Sequence, residues 1–264
     1  MKEIVRRTGT GISLVIVFAG SILLGPLPFA IMILVLYGLS IFELFRLLSR
    51  EGIKPCGMLA MAGGLLIIII YLGLHFHLNP LWLVLPALLW ISGTLRMKSP
   101  ADSMLYMFWV ALPLGSFLAL GWVHGGSGYR PLLPLSVIIL IWTNDIFAYL
   151  TGRYVGKHLL TPKLSPGKTW EGFIGGVAFS LLGGWILFRV TGTFSGPVWV
   201  ATGGLVGLLA VAGDLFESGL KRRFGVKDTG SLLPGHGGIL DRFDSLLLAA
   251  PVLLLVILLS HLAI

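Results

Sequence analysis

Long apolar stretches constrain this chain more than any other feature of its sequence. Nine of them cover residues 11–25, 27–45, 57–76, 80–95, 104–123, 131–151, 172–191, 197–216 and 243–262, of which the first and fourth are the shortest. A helix needs about 20 apolar residues to cross a bilayer. Only 11% of the residues are charged, against about 25% in soluble domains, so a polar coat is lacking. The sequence therefore predicts an all-α, polytopic integral membrane protein with about nine transmembrane helices.

The distribution of basic residues predicts how these helices are oriented. If all nine stretches span, 17 of the 19 Lys and Arg residues fall on one side, and only Arg130 and Arg189 fall on the other. Cytosolic loops carry the excess of Lys and Arg in membrane proteins. We therefore expect a cytosolic N-terminus, an external C-terminus, and two long cytosolic loops at residues 152–171 and 217–242.

The two halves of the chain differ in where their acidic residues fall. Residues 1–125 form a hydrophobic half of about five spans, whereas residues 131–264 form four helices joined by the two long loops. Carboxylates inside spans are costly and usually functional. Seven of the 11 acidic residues lie in the second half, at predicted cytosolic helix ends or in the loops: Asp145, Glu171, Asp214, Glu217, Asp228, Asp241 and Asp244. We therefore expect a functional cavity there that opens to the cytosol.

The stretch from Gly213 to Ser245 holds the densest group of ionisable residues. One set of these residues is Asp214, Ser218 and Lys221, and a second set is Asp241 and Asp244. The loop between them contains Lys227, Asp228, His236, Gly237 and Gly238. The spacing of the first two sets places each on one helical face. Small residues before a helix leave backbone N–H groups available to anionic oxygens. Carboxylates that hold Mg²⁺ beside cations that neutralise phosphate predict a metal–polyphosphate site.

A second polar stretch runs from Trp142 to Gly172. Asp145 and Tyr149 share a helical face there, and Gly-Lys-Thr at 167–169 resembles the end of a P-loop. The P-loop also requires a glycine at position 162, which is proline, and a preceding strand, which we do not predict. We therefore reject a P-loop and keep Lys163 and Lys168 as predicted phosphate contacts.

Both stretches together resemble one known family. The first contains Ser218, Lys221-Arg222, Lys227-Asp228, Gly230, Pro234, His236-Gly237-Gly238, Asp241-Arg242 and Asp244. The second contains Asp145, Ala148-Tyr149, Gly152-Arg153, Ser165-Pro166, Lys168-Thr169 and Glu171-Gly172. These patterns closely resemble the signature of the phosphatidate cytidylyltransferases, also called CDP-diacylglycerol synthases. The resemblance covers roughly the last 130 residues, and residues 1–125 share only their hydrophobicity with the family.

The resemblance implies a reaction in phospholipid biosynthesis: CTP and phosphatidate give CDP-diacylglycerol and pyrophosphate. It implies Mg²⁺ as cofactor, with a second metal ion left open. We expect no nucleic-acid partner, because the basic residues are spread over five loops. The resemblance also implies a homodimer in the inner (plasma) membrane with the active site facing the cytosol. Residues 131–264 would then form the catalytic domain, and residues 1–125 would support packing and the dimer.

Roles for individual residues follow from this interpretation. Asp214 and Asp241 are the primary predicted Mg²⁺ ligands, followed by Asp244 and Asp145. We also assign three basic residues to catalysis, namely Lys221, Lys227 and His236. The residues assigned to substrate binding are Ser218, Arg222, Arg242, Asp228, Gly237, Gly238, Lys163, Lys168, Asn144 and Tyr149.

Two alternative functions stay open at this stage. A CTP-dependent membrane lipid kinase would use the same nucleotide and metal, but it would release CDP instead of pyrophosphate. An ion or phosphate transporter could use buried carboxylates as a relay. Transporters often contain inverted repeats and sites at the bilayer midplane, whereas this sequence shows no convincing repeat and gathers its acidic residues at one face.

Overall fold

The computed structural model describes residues 2–97, 102, 104–123, 128–230, 232 and 237–262. The chain divides into two compact units. The first comprises Met1–Pro134 and Phe224–Phe243, and the second comprises Leu135–Arg223 and Asp244–Ile264. The first unit thus includes most of the loop at 217–242, which the sequence analysis grouped with the second half.

Helices build most of the first unit. They are α1 (Lys2–Leu24), α2 (Pro26–Arg50), α3 (Gly57–Phe76), a 3-10 turn (Pro80–Leu83), α4 (Val84–Thr94), and a π-helical segment (Leu105–Ala111) that continues into α5 (Leu112–Ala119). Gly25 separates α1 from α2 with a φ of 127°, a backbone conformation that residues other than glycine rarely adopt. Pro26 follows at the first position of α2, where its missing N–H costs nothing.

An aromatic cluster forms part of the core of the first unit. Phe18 stacks on Phe117 and on Phe243, with ring centroids 5.9 and 5.1 Å apart, and Phe29 meets the Phe117 ring edge-on at 5.4 Å. Stacked and edge-on ring pairs add stabilisation beyond the area they bury. Phe243 comes from the signature stretch, so this cluster packs the end of that stretch among the N-terminal helices.

The second unit contains α6 (Leu132–Val155, from Leu135 onward), α7 (Trp170–Thr191), α8 (Gly196–Arg223, 28 residues) and most of α9 (Leu240–Leu262). Glycines let α7 and α8 approach closely. A Cβ at Gly184 would collide with the carbonyl of Trp199, and one at Gly203 would collide with the carbonyl of Ser180. Small residues at a helix interface are the usual means of close packing in membranes.

A short hairpin connects α6 to α7. Strands β1 (Leu159–Thr161) and β2 (Ser165–Thr169) pair antiparallel, and the Leu164 N–H donates to the Thr161 carbonyl at 3.2 Å across the turn. Pro162 occupies the position at which turns favour proline. Our prediction that no strand lies near Gly167–Thr169 is therefore wrong: the strand lacks an alternating apolar pattern and depends on its partner. Pro162 still separates the hairpin from a P-loop.

Every predicted apolar stretch overlaps a helix, which confirms the all-α, membrane-protein class apart from the hairpin. Six helices in the described part of the chain are long and apolar enough to cross a membrane: Pro26–Arg50, Gly57–Phe76, Leu132–Val155, Trp170–Thr191, Gly196–Arg223 and Leu240–Leu259. Shorter apolar helices lie at Gly11–Leu24, Leu81–Thr94 and Leu105–Ala119. The count of nine spans and their orientation stay predictions.

Candidate functional site

A cavity of about 320 Å³ lies in the second unit. Helices α6, α7 and α8 and the hairpin form its walls, through Asp145, Ala148, Tyr149, Gly152, Arg153, Leu160, Gly167, Lys168, Thr169, Gly172, Phe173, Val211 and Asp214. The predicted site residues Asp145, Tyr149, Lys168 and Asp214 thus come together. They come from both polar stretches of the second half.

An ion pair dominates the electrostatics of this cavity. Lys168 Nζ lies 2.5 Å from Asp214 Oδ2, and both side chains retain access to solvent, at 24% and 36% exposure. Ser218 Oγ donates to Asp214 Oδ1 at 3.3 Å, one helical turn further along α8. Both carboxylate oxygens of Asp214 therefore have partners. One partner is the Lys168 ammonium group, which water can replace because both side chains of the pair are accessible to solvent.

Two further carboxylates lie within electrostatic range of this pair. Asp145 and Asp244 each interact with Asp214 and with Lys168, and Asp244 also interacts with Asp145. Asn144 is almost fully buried and its Nδ2 lies 3.4 Å from Asp145 Oδ1. These three carboxylates outnumber the two cationic side chains that line the cavity, Lys168 and Arg153, which favours a further cation.

These side chains fit a Mg²⁺ ion that a substrate helps to bind. Among the described residues, no group of three or more His, Cys, Asp or Glu side chains is arranged to hold a metal ion. Mg²⁺ is usually bound by one or two carboxylates, water and substrate phosphates instead of an all-protein cage. Asp214, with Asp145 or Asp244, offers oxygen ligands of that kind, so Mg²⁺ stays our predicted cofactor.

Hydrogen bonds fix the remaining walls of the cavity. Arg153 Nη1 donates to Tyr149 Oη at 2.8 Å on α6. Thr169 caps α7, because its hydroxyl accepts from the Gly172 N–H at 3.1 Å. Glu171 accepts from the backbone N–H groups of Lys157 and His158 at 3.1 and 3.3 Å, and its other oxygen lies 2.6 Å from His158 Nδ1. Lys168, which directly precedes Thr169, is thereby held where hairpin and helix meet.

Other predicted residues of the second unit lie around α8 or in the hairpin turn. Lys221 Nζ contacts Glu217 Oε1 at 3.2 Å, and Glu217 is fully buried. Arg222 is exposed near the end of α8, and Lys163 is exposed in the hairpin turn. Neither Arg222 nor Lys163 is among the residues that line the cavity. Their predicted roles in substrate binding stay predictions.

The first unit holds the rest of the predicted site. Lys227, Asp228 and Arg242 are exposed, Gly238 is buried, and Gly237 has a φ of 85°. His236 lies outside the described residues.

Asp241 is held by the loop that precedes α9. Its Oδ2 accepts from the backbone N–H groups of Thr229 and Gly238 at 2.9 and 2.8 Å, and it lies 3.0 Å from Thr229 Oγ1. The next two N–H groups, those of Ile239 and Leu240, donate to Glu43 on α2 at 2.8 and 3.0 Å. We expected the N–H groups of the small residues at 236–238 to meet anionic oxygens of a substrate. The N–H group of Gly238 instead donates to a carboxylate of the chain itself.

Glu43 and Arg153 were not among the residues that we predicted to be functional. Arg153 belongs to the Gly-Arg element of the second stretch, to which we assigned no role. Glu43 lies inside the predicted span 27–45, where a carboxylate is costly, and this cost is the sequence signal that marks it.

Comparisons with known proteins agree with these observations. A model of the cytidylyltransferase family matches residues 5–260. The phosphatidate cytidylyltransferase of Staphylococcus aureus (strain COL) is 35% identical over 261 residues, which cover 94% of this chain and 96% of that protein. The protein of the same name from Bacillus subtilis (strain 168) is 30% identical over 269 residues, covering 96% and 97%. The similarity thus includes the N-terminal half.

Proposed function

Since the chain belongs to the cytidylyltransferase family, we propose that it transfers the cytidylyl group of CTP to phosphatidate, giving CDP-diacylglycerol and pyrophosphate. Relatives named phosphatidate cytidylyltransferase match it over nearly its whole length. The structural observation that carries the proposal is the cavity lined by Asp145 and by the Lys168–Asp214 pair, with Asp244 in electrostatic range of all three. Its charges suit a metal-bound triphosphate.

In the proposed reaction, an oxygen of the phosphatidate phosphate attacks the α-phosphorus of CTP. A new P–O bond forms, the bond between the α-phosphorus and the bridging oxygen breaks, and pyrophosphate leaves with the electron pair. A general base is unnecessary because the nucleophile is already an anion. Catalysis then consists mainly of positioning and charge neutralisation.

The Lys168–Asp214 pair suggests how the cavity accepts its substrate. When a triphosphate enters, the Lys168 ammonium group turns from Asp214 to a phosphate oxygen. Asp214, with Asp145 or Asp244, would hold Mg²⁺, which supplies charge neutralisation at the phosphates. Ser218 keeps its hydrogen bond to Asp214 Oδ1 and so orients the carboxylate. Tyr149 and Arg153, joined by a hydrogen bond, line the opening for substrate.

The remaining assignments belong to the same proposal. Asp241 would be a further Mg²⁺ ligand, as the family resemblance implies, and cationic side chains of the signature stretch would bind phosphates: Lys221, Arg222, Lys227, His236 and Arg242. We also propose a homodimer, which rests on the family resemblance. Sedimentation of the detergent-solubilised protein would test it, and a monomer at all concentrations would contradict it.

The proposed topology has nine spans, a cytosolic N-terminus and a cavity open to the cytosol, in the inner membrane. Its support is the separation of Lys and Arg residues and the overlap of every predicted span with a helix. A reporter fused after Ile264 should lie outside the cytosol. A cytosolic reporter would require an even number of spans and would overturn this topology.

One assay tests the proposed activity against both alternatives. The purified protein is supplied with phosphatidate, labelled CTP and Mg²⁺, and CDP-lipid and pyrophosphate are both measured. We expect them in equal amounts. Release of CDP with a phosphorylated lipid would favour the kinase, and ion or phosphate flux in liposomes without turnover would favour the transporter.

A further inference from the structure

Glu43 is a buried carboxylate on α2 that bonds to the loop preceding α9. Its side chain is fully buried, with 0% exposure. Glu43 Oε1 accepts from the Ile239 N–H at 2.8 Å, and Oε2 accepts from the Leu240 N–H at 3.0 Å and from Thr229 Oγ1 at 3.1 Å. These partners are 186 to 197 residues away in the sequence. A buried carboxylate is tolerated only when such donors compensate it.

Glu43 contacts the start of α9, and this position suits an acidic side chain. The first N–H groups of a helix have no partner within the helix, and α9 begins at Leu240. A carboxylate satisfies them and also interacts favourably with the positive end of the helix dipole. Glu43 therefore caps α9 from a different helix.

The loop leaves no room for side chains against Glu43. A Cβ at Gly230 would lie 2.5 Å from Glu43 Oε1, and a Cβ at Gly238 would lie 2.5 Å from Glu43 Oε2. The two glycines thus allow the backbone at Gly230 and Gly238 to lie directly against the Glu43 carboxylate. The second glycine of the His-Gly-Gly element is explained by this contact.

Thr229 connects Glu43 to Asp241. Its hydroxyl lies 3.1 Å from Glu43 Oε2 and 3.0 Å from Asp241 Oδ2, and its side chain is buried at 3% exposure. A hydroxyl has a single proton, so it donates to one carboxylate at a time. The position of Asp241 therefore depends on the loop that Glu43 holds.

We propose that Glu43 is a positioning residue, which fixes Thr229 and the backbone at 238–240 and thereby sets the place of the Asp241 carboxylate for the reaction. The inference rests on the proposed function for its effect on turnover, but the contact itself can be tested separately. It also gives the N-terminal half a part in positioning Asp241, through a residue that touches no substrate.

Glu43→Gln is the main variant, because it keeps the shape but turns an NH₂ group toward N–H donors. The matched control is Glu51→Gln, the same change at the exposed C-cap of the same helix. Hydrogen–deuterium exchange of the amides at 238–240 is measured in the full-length protein. We expect at least tenfold faster exchange in Glu43→Gln and a change within twofold in Glu51→Gln. Exchange within twofold of the parent in Glu43→Gln would overturn the proposal.

Steady-state kinetics separates positioning from a purely structural role. Normalised to folded protein, Glu43→Gln should lower kcat at least tenfold while KM for CTP stays within threefold. A kcat within threefold of the parent would overturn the proposal, because the residue would then only hold the fold. A parent without turnover would instead contradict the proposed function, and the exchange measurement would still decide the contact.

A second pair of variants applies if Glu43→Gln does not fold. Thr229→Val keeps the side-chain shape but loses the hydroxyl, whereas Thr229→Ser keeps the hydroxyl. The valine variant should have at least threefold lower kcat than the serine variant. Equal kcat values in the two would overturn the proposal.

Discussion

The two units neutralise their carboxylates in different ways. In the second unit, Asp214 pairs with the Lys168 ammonium group, and both side chains remain accessible to solvent. In the first unit, Glu43 and Asp241 accept from backbone N–H groups and from the Thr229 hydroxyl, in positions set by the loop. A mobile ammonium group can give way to a metal ion or leave for a phosphate. Backbone donors cannot move independently, so they hold a carboxylate in place.

The largest expected effect is on turnover. Asp214→Asn should lower the rate more than about a hundredfold, because loss of a metal contact needed in the transition state costs several kcal/mol. Asp241→Asn should do the same, since we predict both as ligands. Rates are measured against Mg²⁺ concentration and normalised to folded protein. A rate within threefold of the parent at ordinary Mg²⁺ would remove that residue from the predicted ligands.

Stability should separate the two aspartates even if turnover does not. The bonds from Thr229 and Gly238 all go to Asp241 Oδ2, so the amide oxygen can take that place in Asp241→Asn. The variant nevertheless exchanges charge-assisted hydrogen bonds for neutral ones, which we expect to cost about 1–3 kcal/mol in total. Asp214→Asn should change the free energy of unfolding by less than about 1 kcal/mol, as is usual for solvent-accessible pairs. Denaturant titration in mixed micelles measures both variants. Equal losses would contradict the distinction between the units.

Lys168→Met tests whether the ammonium group serves phosphate or only Asp214. We expect kcat/KM for CTP to fall about tenfold, because one charge-assisted contact of about 1.5 kcal/mol is lost. The Mg²⁺ concentration for half-maximal rate should not rise, since a competitor for Asp214 has been removed. Lys157→Met, an exposed lysine before the hairpin, is the control and should stay within twofold. An unchanged kcat/KM in Lys168→Met would limit Lys168 to a structural pair.

The smallest expected effect concerns Ser218. Its hydroxyl donates to Asp214 Oδ1 at 3.3 Å, a long bond whose loss costs about 0.5–1 kcal/mol. Ser218→Ala should therefore lower kcat two- to fivefold at saturating Mg²⁺. A loss above fiftyfold would show that Ser218 contacts substrate directly.

The helices could be predicted from the sequence because the length of an apolar stretch is enough to indicate a helix in a membrane protein. Each apolar stretch overlaps a helix, and four of the many predicted site residues, Asp145, Tyr149, Lys168 and Asp214, line the cavity of the second unit. The hairpin was missed because Leu159–Thr161 and Ser165–Thr169 become strands only by pairing with each other. Glu43 was missed for a different reason: its partners are nearly 200 residues away, and only the fold shows that a lone carboxylate in an apolar span meets the start of α9.

The length of α8 has a consequence for how the enzyme meets its lipid. Its 28 residues measure about 42 Å, whereas the hydrocarbon core of a bilayer is about 30 Å thick. If α8 enters the core at Gly196 and runs along the bilayer normal, Asp214 lies about 27 Å further on, close to the opposite headgroup layer. The phosphate of a lipid can then react while its acyl chains stay in the leaflet. The rate should accordingly follow the surface mole fraction of phosphatidate, so that adding inert lipid at constant bulk concentration slows the enzyme.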